Sequence, residues 1–290
     1  MTDVTCVLDA KAELGEGPLW DQRTQRLYWV NIRQKEVRRF DPATGRDEIF
    51  KAPAMVGSLA VREAGGLVVA LQTGFHFFDP DSKESGGGKW DPITDPEADM
   101  PDNRFNDGKP DRQGRFWAGS MDDLEKQASG GLYRLGTDLK ARRMVDGIIC
   151  SNSLCWSPDG RTMYYADSWA HTIWAWDFDT ARGEIANRRV FVQRPASEGG
   201  PDGATVDAEG GVWVAYWGGW NVTRFDPQGK VERVVKLPVK QPTCPAFGGP
   251  NLDICYVTSA AIGGEPQPLS GGIFAFEPGV KGLAEAYFKG

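Results

Sequence analysis

A short polar turn followed by an apolar, aromatic-rich run recurs six times along the chain: "DQRTQRLYWV", "REAGGLVVAL", "DRQGRFWAGS", "SPDGRTMYYAD", "DAEGGVWVAY" and "GGPNLDICYVT". Short runs of Val, Tyr, Trp and Phe bounded by Gly, Asp, Pro and Asn mark β-strands between tight turns, and helical signatures are almost absent. The strands begin near Leu27, Leu67, Phe116, Met163, Val212 and Ile254, so the pattern returns every 40 to 50 residues. That is the period of a four-stranded propeller blade. A second signal trails each copy, a strand ending in Asp-Pro or a similar stop: "VRRFDPATG", "FHFFDPDS", "GLYRLGTD", "IWAWDFDTARG", "VTRFDPQG" and "GIFAFEPG". Paired signals in this order predict an all-β fold, a six-bladed β-propeller of four-stranded blades forming one domain over residues 1–290. A β-sandwich shares the turn rhythm but not the ordered pairing. The leading "VTCVLDA" is one strand without partners and is expected to join the last blade, closing the ring and removing an open sheet edge. Gly-rich "KESGGGKW" reads as an exposed loop; it lacks the Lys-Ser/Thr ending and following helix of a phosphate cradle.

The first strand of a propeller blade lines the central channel. Counting back about ten or eleven residues from each aromatic strand therefore reaches one channel mouth in every blade. The six positions are Glu16, Gly57, Asn106, Asn152, Asp202 and Cys244. Four carry an oxygen-bearing polar side chain, and two of those are carboxylates. Carboxylates in a narrow channel lose several kcal/mol of hydration each unless a cation or donor offsets it. One divalent cation held by Glu16, Asn152 and Asp202 would balance the charge; the all-oxygen set favours Ca²⁺, Mg²⁺ or Mn²⁺, with Zn²⁺ or Fe²⁺ also compatible. The competing reading is that these residues cap strand starts through local hydrogen bonds.

Composition narrows the partners. The 290 residues carry a formal net charge of −7, which disfavours nucleic acid and anionic membrane surfaces as ligands. No apolar run approaches a membrane span, and "MTDVTCVLDA" has no secretory pattern. Five cysteines without a CxxC pair read as reduced, mostly buried thiols of a cytoplasmic protein. Ser/His nucleophilic chemistry is disfavoured, because there is no GxSxG elbow and the only histidines are His76, placed in a packed strand, and His171. Loops on the phased mouth supply Asp122, Asp123, Trp169, His171, Trp217 and Trp220. Such a rim suits a small polyhydroxylated ligand: Trp faces cover C–H surfaces while carboxylates and amides take hydroxyls. Arg104 is the cation expected beside the two carboxylates, gripping substrate together with Asn106, whereas Lys109 and Asp111 fall past the mouth as structural residues.

At these residues the sequence resembles the senescence-marker-protein/gluconolactonase family, the regucalcin-like sugar lactonases. "LGEGPLW", "RFNDGKPDRQGRFWAGSM", "SNSLCWSPDG", "YYADS", "PDGATVDAEGGVWVAYWGG" and "SGGIFAF" follow its pattern in order. The resemblance implies a six-bladed propeller with one catalytic divalent metal on Glu16, Asn152 and Asp202, and substrate contacts from Arg104 and Asn106. It implies a hydrolase that opens a sugar lactone, with Asp202 also orienting or deprotonating the attacking water. One departure stands out: Leu124 occupies the place of the family's substrate-binding Glu, and Asp123 is the expected replacement. The alternatives are another propeller esterase, acting on organophosphates or hydrophobic lactones, and a non-catalytic calcium-binding propeller.

Overall fold

In the computed structural model, which describes residues 3–82, 88–265 and 267–290, twenty-four strands form six four-stranded antiparallel sheets. Blade 1 holds β2 (Gly15–Asp21), β3 (Arg26–Asn31), β4 (Glu36–Asp41) and β5 (Arg46–Lys51). Blade 2 holds β6 (Val56–Val61), β7 (Leu67–Leu71), β8 (Gly74–Asp79) and β9 (Lys89–Thr94). Blade 3 holds β10 (Asn103–Pro110), β11 (Phe116–Asp122), β12 (Gly130–Leu135) and β13 (Ala141–Ile148). Blade 4 holds β14 (Ser151–Trp156), β15 (Thr162–Asp167), β16 (Thr172–Asp179) and β17 (Glu184–Gln193). Blade 5 holds β18 (Gly200–Val206), β19 (Val212–Trp217), β20 (Asn221–Phe225) and β21 (Val231–Lys236). Blade 6 joins β22 (Pro242–Gly248), β23 (Ile254–Ser259) and β24 (Ile273–Phe276) to β1 (Thr5–Leu8), its outer strand.

The ring therefore closes as the leading strand predicts. Thr5 pairs with Ala275 and Cys6 with Phe274, so the last blade borrows its fourth strand from the beginning of the chain. This covers the edge of β24, which would otherwise present unpaired N–H and C=O groups. The Gly-rich "KESGGGKW" stretch falls largely outside the described residues. Among those described, no helix is long and apolar enough to cross a membrane.

Burial separates the strands by their place in the blade. Inner strands β6, β10, β14 and β22 are buried along their whole length, whereas outer strands β17 and β21 are mostly exposed and β13 is half exposed. Second and third strands lie between them, sandwiched by the neighbouring blades, and so carry the aromatic runs visible in the sequence. The cores sit in the seams. Trp117 packs edge-on against Trp156 across blades 3 and 4, Trp213 against Phe247 across blades 5 and 6, and Trp20 stacks on Tyr256 where blade 1 meets blade 6. Each such pair contributes about 0.5–1.5 kcal/mol beyond its area.

Two buried aspartates tie Trp117 and Trp213 to the tight turns. Asp111 accepts from the backbone N–H of Gln113 and Arg115, from Arg115 Nε (2.6 Å) and from Trp117 Nε1 (2.9 Å). Asp207 accepts from Glu209 N, Gly211 N, Trp213 Nε1 (2.7 Å) and Arg224 Nε (2.7 Å). The repeated "DxxGxxW" spacing is this hub seen in one dimension. Lys109 donates to Ala204 O at 2.9 Å and lies 3.4 Å from Glu285. The segment after β24 runs beneath the ring on this same turn side. Ala208 N donates to Lys281 O, Phe288 N to Val61 O and Lys289 N to Gly114 O, and Phe288 is fully buried. The channel is thereby lined with chain at the end away from the phased positions.

Candidate functional site

Every inner strand departs from regular pairing at the same level. Register shifts fall between Glu16 and Leu19, Val56 and Ser58, Phe105 and Gly108, Asn152 and Cys155, Pro201 and Ala204, and Pro242 and Pro245. A bulge leaves residues unpaired and re-aims their side chains. In blades 1 and 4 the bulge turns on a left-handed residue, Gly17 (φ +52°) or Ser153 (φ +55°). There the inward-facing residue is the preceding one, Glu16 or Asn152; in blades 3 and 5 it is Asn106 and Asp202, one step later in the bulge. Ser153 is a buried non-glycine residue held in this uncommon region, and its hydroxyl donates to Asp202 O at 2.5 Å. Gly57 in blade 2 has no room for a side chain, since a Cβ would stand 2.4 Å from the Phe105 carbonyl.

These bulges surround a cavity of about 220 Å³ lined by Glu16, Arg104, Asn106, Asn152 and Asp202 at its floor. Asn106 Nδ2 donates to Asn152 Oδ1 (3.1 Å) and Ser151 O (2.9 Å), while its own Oδ1 accepts from Arg104 Nη1 (2.7 Å). Asn152 Nδ2 donates to Ser168 Oγ (2.8 Å), whose hydroxyl continues to Pro201 O (2.7 Å). The chain of bonds sets both amide orientations and leaves Asn152 Oδ1 with a free lone pair. Arg104 Nε meets Asp123 Oδ1 at 2.7 Å, and Arg33 Nη1 meets Asp123 Oδ2 at 2.8 Å.

Glu16 and Asp202 are each only 5 % exposed, and neither forms an ion pair among the described residues. Burial, then the charge of nearby Asp107, pushes the Glu16 carboxyl up to about 8. Burial and then Glu16 raise Asp202 well above the ordinary carboxylate range, and the two carboxyls hydrogen-bond to each other. Without a cation the pair therefore keeps a proton near neutrality, as two like charges at close range require. Among the described residues no three His, Cys, Asp or Glu side chains converge on a metal-like cluster. The donor set is instead two carboxylates and the Asn152 amide oxygen. This set fits a hard divalent cation, which would replace the shared proton and recover the buried charge.

The family model described as SMP-30/Gluconolactonase/LRE-like region matches residues 14–261 of the chain. The chain belongs to this family. Regucalcin of Homo sapiens is 38% identical over 300 residues, covering 99% of this chain and 98% of the relative. A luciferin-regenerating enzyme structure superposes with TM-score 0.94 at 31% identity over 100% of both chains. The structure of a calcium-binding protein, regucalcin, from Agrobacterium tumefaciens superposes with TM-score 0.92 at 30% identity, covering 99% of this chain and 97% of that one.

Against the expectations from sequence, this member of the SMP-30/gluconolactonase family brings Glu16, Arg104, Asn106, Asn152, Asp202 and His171 to one cavity. Gly57 and Cys244 fall in the same ring of bulges without reaching it. Asp123 stands behind the lining, gripped by Arg104 and Arg33. Burial pushes its carboxyl up, but the Arg33 and Arg104 guanidiniums outweigh that and hold it below its usual value. Asp122 is turned into its own loop, accepting from Lys126 N and Gln127 N. Trp220 requires correction: it is 40 % exposed, has φ +61° and faces a surface hollow beside Asn221 and Val234, outside the cavity. The turn after β19 carries it outward and leaves Trp217 on the cavity wall. Arg104 is also not the sole cation, because Arg33 lines the cavity too.

Sequence reasoning missed Arg33, Glu125, Ser168 and Asp107. Leu124 points to solvent at 66 % exposure, but its neighbour Glu125, with φ +57°, lines the cavity and accepts from Trp169 Nε1 at 2.7 Å. A carboxylate therefore reaches the cavity one residue beyond the expected place. Asp107, adjacent to Asn106 in its bulge, is buried and accepts from Leu154 N at 2.8 Å. Cys150 lines the wall as a thiol whose pKa is raised by burial, unsuited to act as a nucleophile.

Proposed function

We propose that the protein is a divalent-cation-dependent lactonase that opens a sugar-derived lactone, an aldono-1,4- or 1,5-lactone, to the aldonic acid. The observation that carries this reading is the buried Glu16–Asp202 pair, which forms no ion pair among the described residues, on the floor of a polar cavity. A divalent cation held by Glu16, Asn152 and Asp202 would supply Lewis acidity at the ester carbonyl. Ca²⁺, Mg²⁺ and Mn²⁺ suit the all-oxygen donors best, with Zn²⁺ or Fe²⁺ also compatible. An Asp202 carboxylate oxygen takes a proton from the attacking water. The C–O bond to the ring oxygen then breaks, and that proton passes to the departing alkoxide, giving a hydroxyl and a carboxylic acid. Arg104 and Asn106, fixed by their mutual 2.7 Å bond, hold ring hydroxyls and so orient the carbonyl. His171 and Glu125 offer further polar contacts, and the Trp169 and Trp217 rings supply apolar wall.

The family's own description includes gluconolactonase, which supports ester hydrolysis on this scaffold. A net charge of −7 and a cavity this small support a small-molecule ligand over nucleic acid or a membrane surface. Five free cysteines fit a reducing, cytoplasmic location. The second reading is a calcium-binding propeller without turnover, favoured by the description of the Agrobacterium relative. Acid release from a panel of pentono- and hexonolactones, with and without EDTA and with single ions restored, separates them. Turnover that survives exhaustive chelation would overturn the cation's role. Tight Ca²⁺ binding with no acid release from any lactone would favour the second reading.

A further inference from the structure

Two guanidiniums, Arg33 from the turn after β3 and Arg104 from β10, face the cavity and share one carboxylate, Asp123. They reach it across the mouth of blade 2, which contributes only Gly57 at this level. Arg104 spends Nε on Asp123 and Nη1 on Asn106 Oδ1 and Phe105 O. Arg33 spends Nη1 on Asp123 and on Met55 Sδ at 3.6 Å. Among the described residues, Arg104 Nη2 and both Nε and Nη2 of Arg33 donate to nothing. This wall therefore carries a net positive charge and unspent donors, and a guanidinium offers no acceptor. A hydroxyl satisfies such a wall with one lone pair; a carboxylate satisfies it with two oxygens and also cancels the charge. Of the cavity's own carboxylates, Glu16 and Asp202 lie at the floor and Glu125 is tied to Trp169 on the blade 4 side, so an anionic group is directed to the guanidinium wall above the floor.

We propose that Arg33 is a specificity-determining residue that receives a second, free carboxylate on the ligand, making the preferred substrates lactones of sugar dicarboxylic acids. The inference rests on the lactonase reading for its reaction but not for its binding geometry. Asp123 is then a positioning residue that keeps the two guanidiniums side by side.

The test uses the full-length protein and two probes that differ by one carboxylate, glucarate and gluconate. Calorimetry, on both chelated and Ca²⁺-loaded protein, should show glucarate binding at least about tenfold tighter, as a charge-assisted bidentate contact implies. Arg33→Gln should abolish the preference by lowering glucarate affinity more than gluconate affinity, and Arg33→Lys should restore part of it. Equal affinity for the two probes in wild type overturns the proposal. So does a loss in Arg33→Gln that is the same for both probes, which is the mark of a residue that only positions Arg104. In a parallel arm, turnover is compared on gluconolactone and on the 1,4-lactone of glucaric acid. Gluconolactone hydrolysis without the binding preference refutes the Arg33 assignment alone. A binding preference with no hydrolysis of either lactone upholds that assignment and refutes the lactonase reading instead.

Discussion

Asp202 lies near the start of β18 and Asp207 directly follows its end, and both are almost wholly buried. Asp207 accepts four hydrogen bonds, one of them from the Arg224 guanidinium with which it forms an ion pair. Among the described residues Asp202 forms no ion pair, and it faces another carboxylate, Glu16. A buried charge that is satisfied holds turns and seams together; a buried charge left unsatisfied weakens the empty protein and is retained for what it binds. The same division separates the two channel ends. Among the described residues Glu16 and Asp202 have each other and no ion-pair partner at the bulged mouth, while at the turn end Lys109 is matched by Ala204 O and Glu285.

The largest effect expected from this contrast is on function. Asp202→Asn should lower lactone turnover on the order of 10³-fold and abolish divalent-ion binding, without lowering the melting temperature of the chelated protein. A variant that unfolds would erase the distinction between the two strand ends. At the other end, Asp207→Ala should cost about 3 kcal/mol in chemical denaturation, because it strands the Trp213 N–H and the turn N–H groups of Glu209 and Gly211, although Arg224 keeps Glu209 and Glu232. Arg104→Ala should reduce kcat/KM about 10²-fold with ion affinity nearly intact, as isothermal titration would report; loss of the ion would place Arg104 on the structural side.

The pH dependence follows with its sign. Glu16 titrates near 4.5 when unfolded and near 8 in the folded, cation-free state, and Asp202 shifts in the same direction. Their contribution to stability is fully present below the unfolded value and is lost as pH rises through the folded one. Chelated protein should therefore melt lower at about pH 9 than at about pH 6, and saturating divalent cation should remove much of that difference. The smallest effect is expected at Leu124. Leu124→Ala should stay within about 0.5 kcal/mol in stability and leave turnover unchanged, whereas Glu125→Gln, one residue on, should raise KM.

Much of the ring was legible because each blade repeats the same physical problem. Second strands such as β3 and β19 are apolar on both faces to fill a seam, so their aromatic runs stand out at a fixed period. Outer strands such as β17 and β21 face water and carry mixed residues, so they leave no such mark. The path of the last residues under the ring was equally hidden, since Phe288 finds its buried place only against blade 2. At the site, Glu16, Asn152 and Asp202 were found by counting. The spacing to the aromatic strand varies by one residue between blades, because the left-handed bulges at Gly17 and Ser153 shift which side chain turns inward.

By itself the sequence determined the blade number, the closing strand and the polar ring at the mouth, since burial and register repeat at a period that survives in one dimension. Only the tertiary structure decided which loop residues reach the cavity. Arg33, Glu125 and Trp217 enter it while Leu124 and Trp220 turn away. Those choices depend on single backbone turns and on contacts such as Arg33 with Asp123, made across ninety residues of chain. No periodicity records such contacts.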